Sequence, residues 1–279
     1  MNKRLSAAVL LFLLSLPRFS LADIDLDQEV LIIPDTHNAK PYLWNVERDP
    51  AGYELLLEHH DSAVAGANAG FTFTVKTPPG ETIKEMHVFI TDSDLHTYQH
   101  VRPVNDKGVY RFSYDAPWAG RYRFEIVFMT AHGWINLRRD VSMKGGGQHI
   151  VPGKDPGDED YAVKITLYPK KIYAEHVGTF LYEIKYKGNP LRDREKIDGF
   201  DMLLAAWDED RREFVYATPA QNLGGPEVAV SLVFMKPGKH AVFAEFKHRG
   251  VIRRVDLVIT VLWEPREDSG LLPYLKPAD

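Results

Sequence analysis

The stretch Met86–Pro103, MHVFITDSDLHTYQHVRP, returns without gaps 116 positions later as Met202–Pro219, MLLAAWDEDRREFVYATP. Met86 falls on Met202, Asp92 on Asp208, Asp94 on Asp210 and Pro103 on Pro219, with Tyr98 opposite Phe214. Flanking positions follow in the same order: Tyr53 with Tyr161, Gly70 with Gly178, Ser113 with Ser231, Gly120 with Gly238, and Arg138-Arg139 near Arg253-Arg254. Such self-similarity marks a duplicated structural unit. Each copy is about 90 to 100 residues, the size of one immunoglobulin-like sandwich.

Periodicity outside the repeat agrees. Tyr122, Phe124, Ile126 and Phe128 alternate with Arg121, Arg123 and Glu125, the period-2 pattern of a strand with one face in a core. Phe71, Phe73 and Val75 read the same way, as do Tyr110, Phe112 and Tyr114, and Val255, Leu257, Ile259 and Val261. Turn-forming clusters punctuate these runs at Thr77–Gly80, Asn105–Gly108, Ala116–Gly120, Lys187–Pro190, Gly224–Pro226 and Lys236–Gly238. The expected fold is all-β: two tandem immunoglobulin-like antiparallel β-sandwich domains at 51–143 and 160–263. A Gly-, Pro- and Asp-rich linker at 144–159 contributes little to either core. An N-terminal extension, 23–50, with strand-like Glu29–Ile33, could add an edge strand, and 264–279 reads as an extended tail.

Residues 1–22 read as a signal peptide: Lys3 and Arg4, an apolar run from Ala7 to Leu16 too short to span a bilayer, then Ser20-Leu21-Ala22 as a cleavage site. The expectation is a periplasmic or secreted protein with no membrane insertion after cleavage. Maturation would leave 31 basic against 39 acidic residues, a formal charge of −8, which disfavours nucleic acid. With no cysteine in the chain there is no disulfide, thiol nucleophile, haem attachment or lipid anchor. There is no Gly-x-Ser-x-Gly elbow, phosphate-cradling loop or His-Glu-x-x-His, so a non-catalytic protein is expected.

The histidines separate the copies. His59, His60, His87, His96, His100 and His132 stand opposite Leu167, Tyr168, Leu203, Arg212, Tyr216 and Arg249. A hairpin turning tightly at Ser93-Asp94 would set His87 opposite His100, Phe89 opposite Tyr98 and Thr91 opposite His96, all on one face. Opposed Cβ atoms lie about 4.5 to 5.5 Å apart, close enough for two imidazoles to grip one ion, copper or zinc with copper favoured. His96 would then sit roughly 13 Å from His100, unless a wider loop folds it back. His96, His132, Met86, Met129 or an acid are the candidates for a third ligand.

A plainer reading stays open. The equivalent face of the second copy carries Leu203, Ala205, Trp207, Phe214 and Tyr216, a core-like set, so His87 and His100 could be hydrogen-bonded histidines of a partly buried sheet. Asp92 and Asp94 recur as Asp208 and Asp210 and read as turn formers; His59-His60-Asp61 reads as a strand end and His149 as solvated. The two functions in view are an exported metal-binding protein and a metal-free module that docks another exported protein.

His87, Asp94-Leu95, Tyr98, His100 and Pro103 together resemble the motif of the YtkA-like family of secreted β-sandwich domains. There, a strand beginning with His is followed by Asp-Leu, an aromatic and His-x-His-Pro. The resemblance covers the first copy, about a third of the chain, and implies metal handling, since such domains are often found beside copper-handling proteins. Where the family has the second His of His-x-His-Pro this chain has Arg102, which implies the loss of one ligand or hydrogen-bonding group.

Overall fold

A computed structural model describes residues 47–58, 63–145, 158–222 and 224–263. The signal peptide, most of the extension and linker, His59, His60, His149 and the C-terminal tail lie outside the described residues.

The first copy folds as β1 (Glu47–Arg48), β2 (Glu54–Glu58), β3 (Asn68–Lys76), β4 (Glu85–Asp92), β5 (Tyr98–Val101), β6 (Val104–Asp106), β7 (Val109–Asp115), β8 (Gly120–Thr130) and β9 (Gly133–Met143). The second continues as β10 (Tyr161–Tyr168), β11 (Val177–Tyr186), β12 (Asn189–Pro190), β13 (Leu203–Asp208), β14 (Phe214–Ala217), β15 (Glu227–Val233), β16 (Gly238–His248) and β17 (Val251–Val261). Sheet β2-β3-β7-β6 faces sheet β1-β9-β8-β4-β5 in one sandwich. In the other, β10-β11-β12, with β15 also on β11, faces β14-β13-β16-β17. β1, at the end of the extension, is an edge strand that runs parallel to β9, while the strand-like Glu29–Ile33 lies outside the described residues.

The copies agree in register as well as in order. Thr91 pairs with Tyr98 as Trp207 pairs with Phe214, and Gly120 pairs with Met143 as Gly238 pairs with Val261. Each sandwich has its own core: Phe71, Phe73, Val88, Ile90, Phe124 and Phe128 in the first, and Phe180, Tyr182, Leu204, Val230, Val242 and Phe246 in the second. At the edges of the linker, Lys144 N–H donates to the Ala63 carbonyl and Lys187 N–H to the Asp160 carbonyl.

The hairpin register differs from expectation by two residues. His100 pairs with Phe89, and Tyr98 with Thr91. The turn is wide because the Asp92 carboxylate Oδ1 accepts the backbone N–H groups of His96 (2.7 Å) and Thr97 (2.9 Å), while Leu95 takes φ +58°. Asp208 repeats the device by accepting Glu213 N–H, with Arg211 at φ +55°. A shift of two keeps the parity of the strand, so His87 and His100 still share a face.

That shared face is covered by the other sandwich. A third apolar cluster joins Phe89, Tyr98 and Val127 of the first copy to Ile197, Leu203, Ala205, Trp207, Phe214, Tyr216, Ala241 and Phe243 of the second. The core-like face anticipated for the second copy is therefore buried against the first domain. β4 and β13 lie in central layers with both faces covered, and every residue of β13 is buried. Polar links cross the same seam: Trp207 Nε1 donates to Glu125 Oε1 (3.4 Å), Arg123 to the Arg211 carbonyl (2.8 Å) and Arg254 to the Tyr98 carbonyl (3.1 Å).

Candidate metal centre

The seam encloses a line of four side chains from three strands. His87 on β4 places Nε2 3.0 Å from Glu85 Oε1 and Nδ1 2.9 Å from His100 Nε2; His100, on β5, places Nδ1 2.8 Å from Glu245 Oε2 on β16 of the second copy. Alternation along β4 aims Glu85, His87 and Phe89 to one side, and Phe89 stacks on the His100 ring at 4.6 Å. Trp134 and Tyr216 flank the His87 ring, each centroid 5.7 Å away.

A fifth group enters from the connection between β12 and β13. Ile197 and Phe200 exchange backbone hydrogen bonds (2.8 and 2.9 Å) around Asp198 (φ +54°) and Gly199 (φ +88°). Positive φ at both central residues is the two-residue turn that Asp-Gly favours, and it presents Asp198 to the histidines. Asp198 Oδ2 lies 3.7 Å from His87 Nδ1, and Arg102 forms an ion pair with Oδ1 and lies 3.9 Å from Glu85 Oε1. His87, His100 and Asp198 offer one ligand atom each, all within 4.8 Å of one another.

The tautomers follow from the partners. An ionised carboxylate only accepts, so with Glu85 and Glu245 both ionised the His87 proton lies on Nε2 and the His100 proton on Nδ1. In that state His87 Nδ1 and His100 Nε2, 2.9 Å apart, present lone pairs to each other, and Asp198 Oδ2, buried and accepting no hydrogen bond, lies within 4.8 Å of both. Three acceptors converge with no donor among them, an arrangement that a cation completes. Carboxylates that take the outer N–H of a ligating imidazole are the usual supports of a metal site. The 2.9 Å between His87 Nδ1 and His100 Nε2 is that of two donors about 2.05 Å from one ion at right angles, while Asp198 Oδ2, 3.7 Å from His87 Nδ1, stands wider than the about 3.3 Å of a tetrahedron.

Burial first, then the neighbouring His100 and Arg102, pushes His87 down to about 3 from 6.5, so its imidazole is neutral at ordinary pH. Burial raises Glu85, with Arg102 opposing and Asp198 reinforcing the shift. Burial and the three nearby carboxylates drive the Tyr216 phenol up, so it stays protonated; its hydroxyl has no hydrogen-bond partner. For His87 the unfolded chain takes the proton first, so the native state loses stability as pH falls from 6.5 towards 3. The loss approaches about 1.4 kcal/mol per pH unit. Glu85, with its raised folded pKa, acts in the opposite sense above 4.5. The urea midpoint of metal-free protein should therefore fall on acidification, most clearly below pH 4.5; an unchanged midpoint would contradict a neutral, buried His87.

Of the residues expected from the sequence, His87 and His100 meet. His96 lies instead in the wide hairpin loop, where it groups with Asp92 and Asp94. His132 sits at the β8–β9 turn with its side chain 80% exposed and 3.3 Å from Glu81. Met86 belongs to the first core, on the opposite face of β4. The acid grouped with them is Asp198, from the other copy. Its sequence signal, Asp-Gly between Ile197 and Phe200, announces a turn but not where the turn points. Glu85 and Glu245 carried no signal.

Residues 158–262, which span the second sandwich, match the model of a family described as a domain of unknown function, DUF8832. No curated protein matches the chain. Among solved structures, the chain is similar to a Salmonella alpha-2-macroglobulin, with 15% identity over 78% of this chain and 16% of that one and a TM-score of 0.27. It is also similar to invasin, a bacterial integrin-binding protein (14% identity, 76% and 39% covered, TM-score 0.28), and to the D00-D0 domain of intimin (14%, 75% and 99%, 0.24). The chain thus spans only 16% of the alpha-2-macroglobulin and 39% of invasin. No helix among the described residues is long and apolar enough to cross a membrane.

Proposed function

We propose that this is an exported, non-catalytic protein whose two sandwiches hold one divalent transition-metal ion between them, through His87 and His100 of the first copy and Asp198 of the second. The observation that carries the reading is the grouping of one ring nitrogen each from His87 and His100 with a buried Asp198 oxygen that accepts no hydrogen bond, all within 4.8 Å. Charge points the same way. Glu85, Glu245 and Asp198 meet the imidazoles and Arg102 opposes them, a net of −2 that a divalent ion cancels. Two nitrogens and one oxygen suit copper or zinc, and intrinsic affinity favours copper. The resemblance of the first copy to the YtkA-like family supports metal handling, and the signal-like N-terminus supports export.

A metal-free alternative rests on the same contacts. One added proton, carried on His100 Nε2 or through Glu85, would close the line from Glu85 to Glu245 and leave the seam as a polar interface in a module that docks another exported protein. Equilibrium dialysis of the purified protein against Cu(II) and Zn(II), beside a His87→Ala, His100→Ala double variant, separates the two. The metal reading expects one ion per chain in the wild type and none in the variant; equal, negligible uptake by both would leave the metal-free module.

A further inference from the structure

Arg102 occupies the solvent side of the centre. Behind it the His87 side chain is fully buried, and the His100 and Asp198 side chains are nearly so. Buried Phe89 and Tyr216 and partly buried Trp134 pack against the His87 ring. Arg102 itself is 51% exposed and ties Asp198, from the second sandwich, towards Glu85, from the first. An ion could reach the imidazoles by parting the two sandwiches, which would open the apolar cluster around Phe89, Trp207 and Phe243. It could also pass through the position of the guanidinium, which is half exposed and held by its ion pairs with Asp198 and Glu85 on a side chain that changes rotamer in picoseconds to nanoseconds once released.

Resting on the metal reading above, we propose that Arg102 is the gate of the centre: closed, it seals the ion behind its pairs with Asp198 and Glu85, and it swings into solvent to let a divalent cation enter or leave. Arg102 holds Asp198 by Oδ1 and leaves Oδ2 to the ion, so it sits beside the ligand without competing for the ligating atom. Its charge slows an incoming cation, and its body blocks an outgoing one. The position at which the resembled family has a histidine thus carries a group that controls exchange.

Stopped-flow uptake of Zn(II), and its release to a colorimetric chelator, are compared for the wild type, Arg102→Ala, Arg102→Gln and Arg102→Lys. Because the arginine is half exposed, all three variants should fold, as circular dichroism melts will check. Alanine and glutamine should speed both uptake and release by about tenfold, the low end of the range over which the field of a charged cleft alters association. Lysine, which keeps the charge but loses the fork, should fall between. Both rates rise together, so the affinity should change less than either, a split that a merely structural role would not produce. Zn(II) entering the alanine variant while the wild type stays unloaded over the same period would also support the gate. Unchanged rates with uptake intact would overturn the gate and leave the centre standing; no uptake by any of the four would remove the centre and the gate with it.

Discussion

An Asp198→Asn variant is expected to bind Cu(II) and Zn(II) about a hundredfold more weakly than the wild type while folding as well. Asparagine keeps the size of the side chain and suits the positive φ of the Asp198-Gly199 turn at least as well as aspartate does. What it removes is the charge, and with it the strongest oxygen donor of the set. Loss of a carboxylate that merely supports a ligating histidine costs about ten- to a hundredfold, so loss of the ligand itself should reach the top of that range. The Arg102 ion pair goes too, but a pair with a half-exposed partner contributes only about 0 to 1 kcal/mol. Metal-free wild type and variant should therefore melt within a few degrees of each other. Competition against a chelator of known affinity reads the first effect. Undiminished affinity would show that the ion, if bound, is held elsewhere.

Replacing Trp207 by alanine should cost about 3 to 5 kcal/mol, the range for removing a large aromatic from a packed site. Trp207 is completely buried, yet it belongs to neither sandwich core. It packs against Tyr98 of the first copy and Phe214 and Phe243 of the second, and its indole N–H reaches Glu125 across the seam. A second domain standing apart would expose this face, and the substitution would then be nearly neutral. Urea unfolding measures the difference, and a loss below about 1 kcal/mol would mean that the sandwiches do not dock as described. The same seam holds Glu245 against His100, so the variant should also weaken metal binding without touching a ligand.

Local signals made the fold legible. The repeat fixed the number of units, and alternation in Arg121–Phe128 set one face of β8 against a core. The turn residues Asp92 and Asp208 were recognised as such, but the width of the turns they build was not. A carboxylate that caps two successive N–H groups leaves no trace in spacing, and the register came out two residues away. Parity survived, which is why His87 and His100 still meet. Docking of the sandwiches had a trace that went unused: Met202–Trp207 is apolar at every position, the mark of a strand covered on both faces. A pattern can say that a second face is buried but not by what. Asp198 and Glu245 belong to the centre only because two domains pack together, and such contacts between residues roughly 100 to 150 positions apart cannot be read from one sequence.

One ion joining the two copies at His87, His100 and Asp198 should be visible by anomalous scattering at the copper and zinc absorption edges, from crystals of the metal-loaded protein. A single peak should lie about 2.0 to 2.3 Å from His87 Nδ1, His100 Nε2 and Asp198 Oδ2. A peak elsewhere, or direct hydrogen bonding between the two imidazoles with no peak in fully soaked crystals, would contradict it.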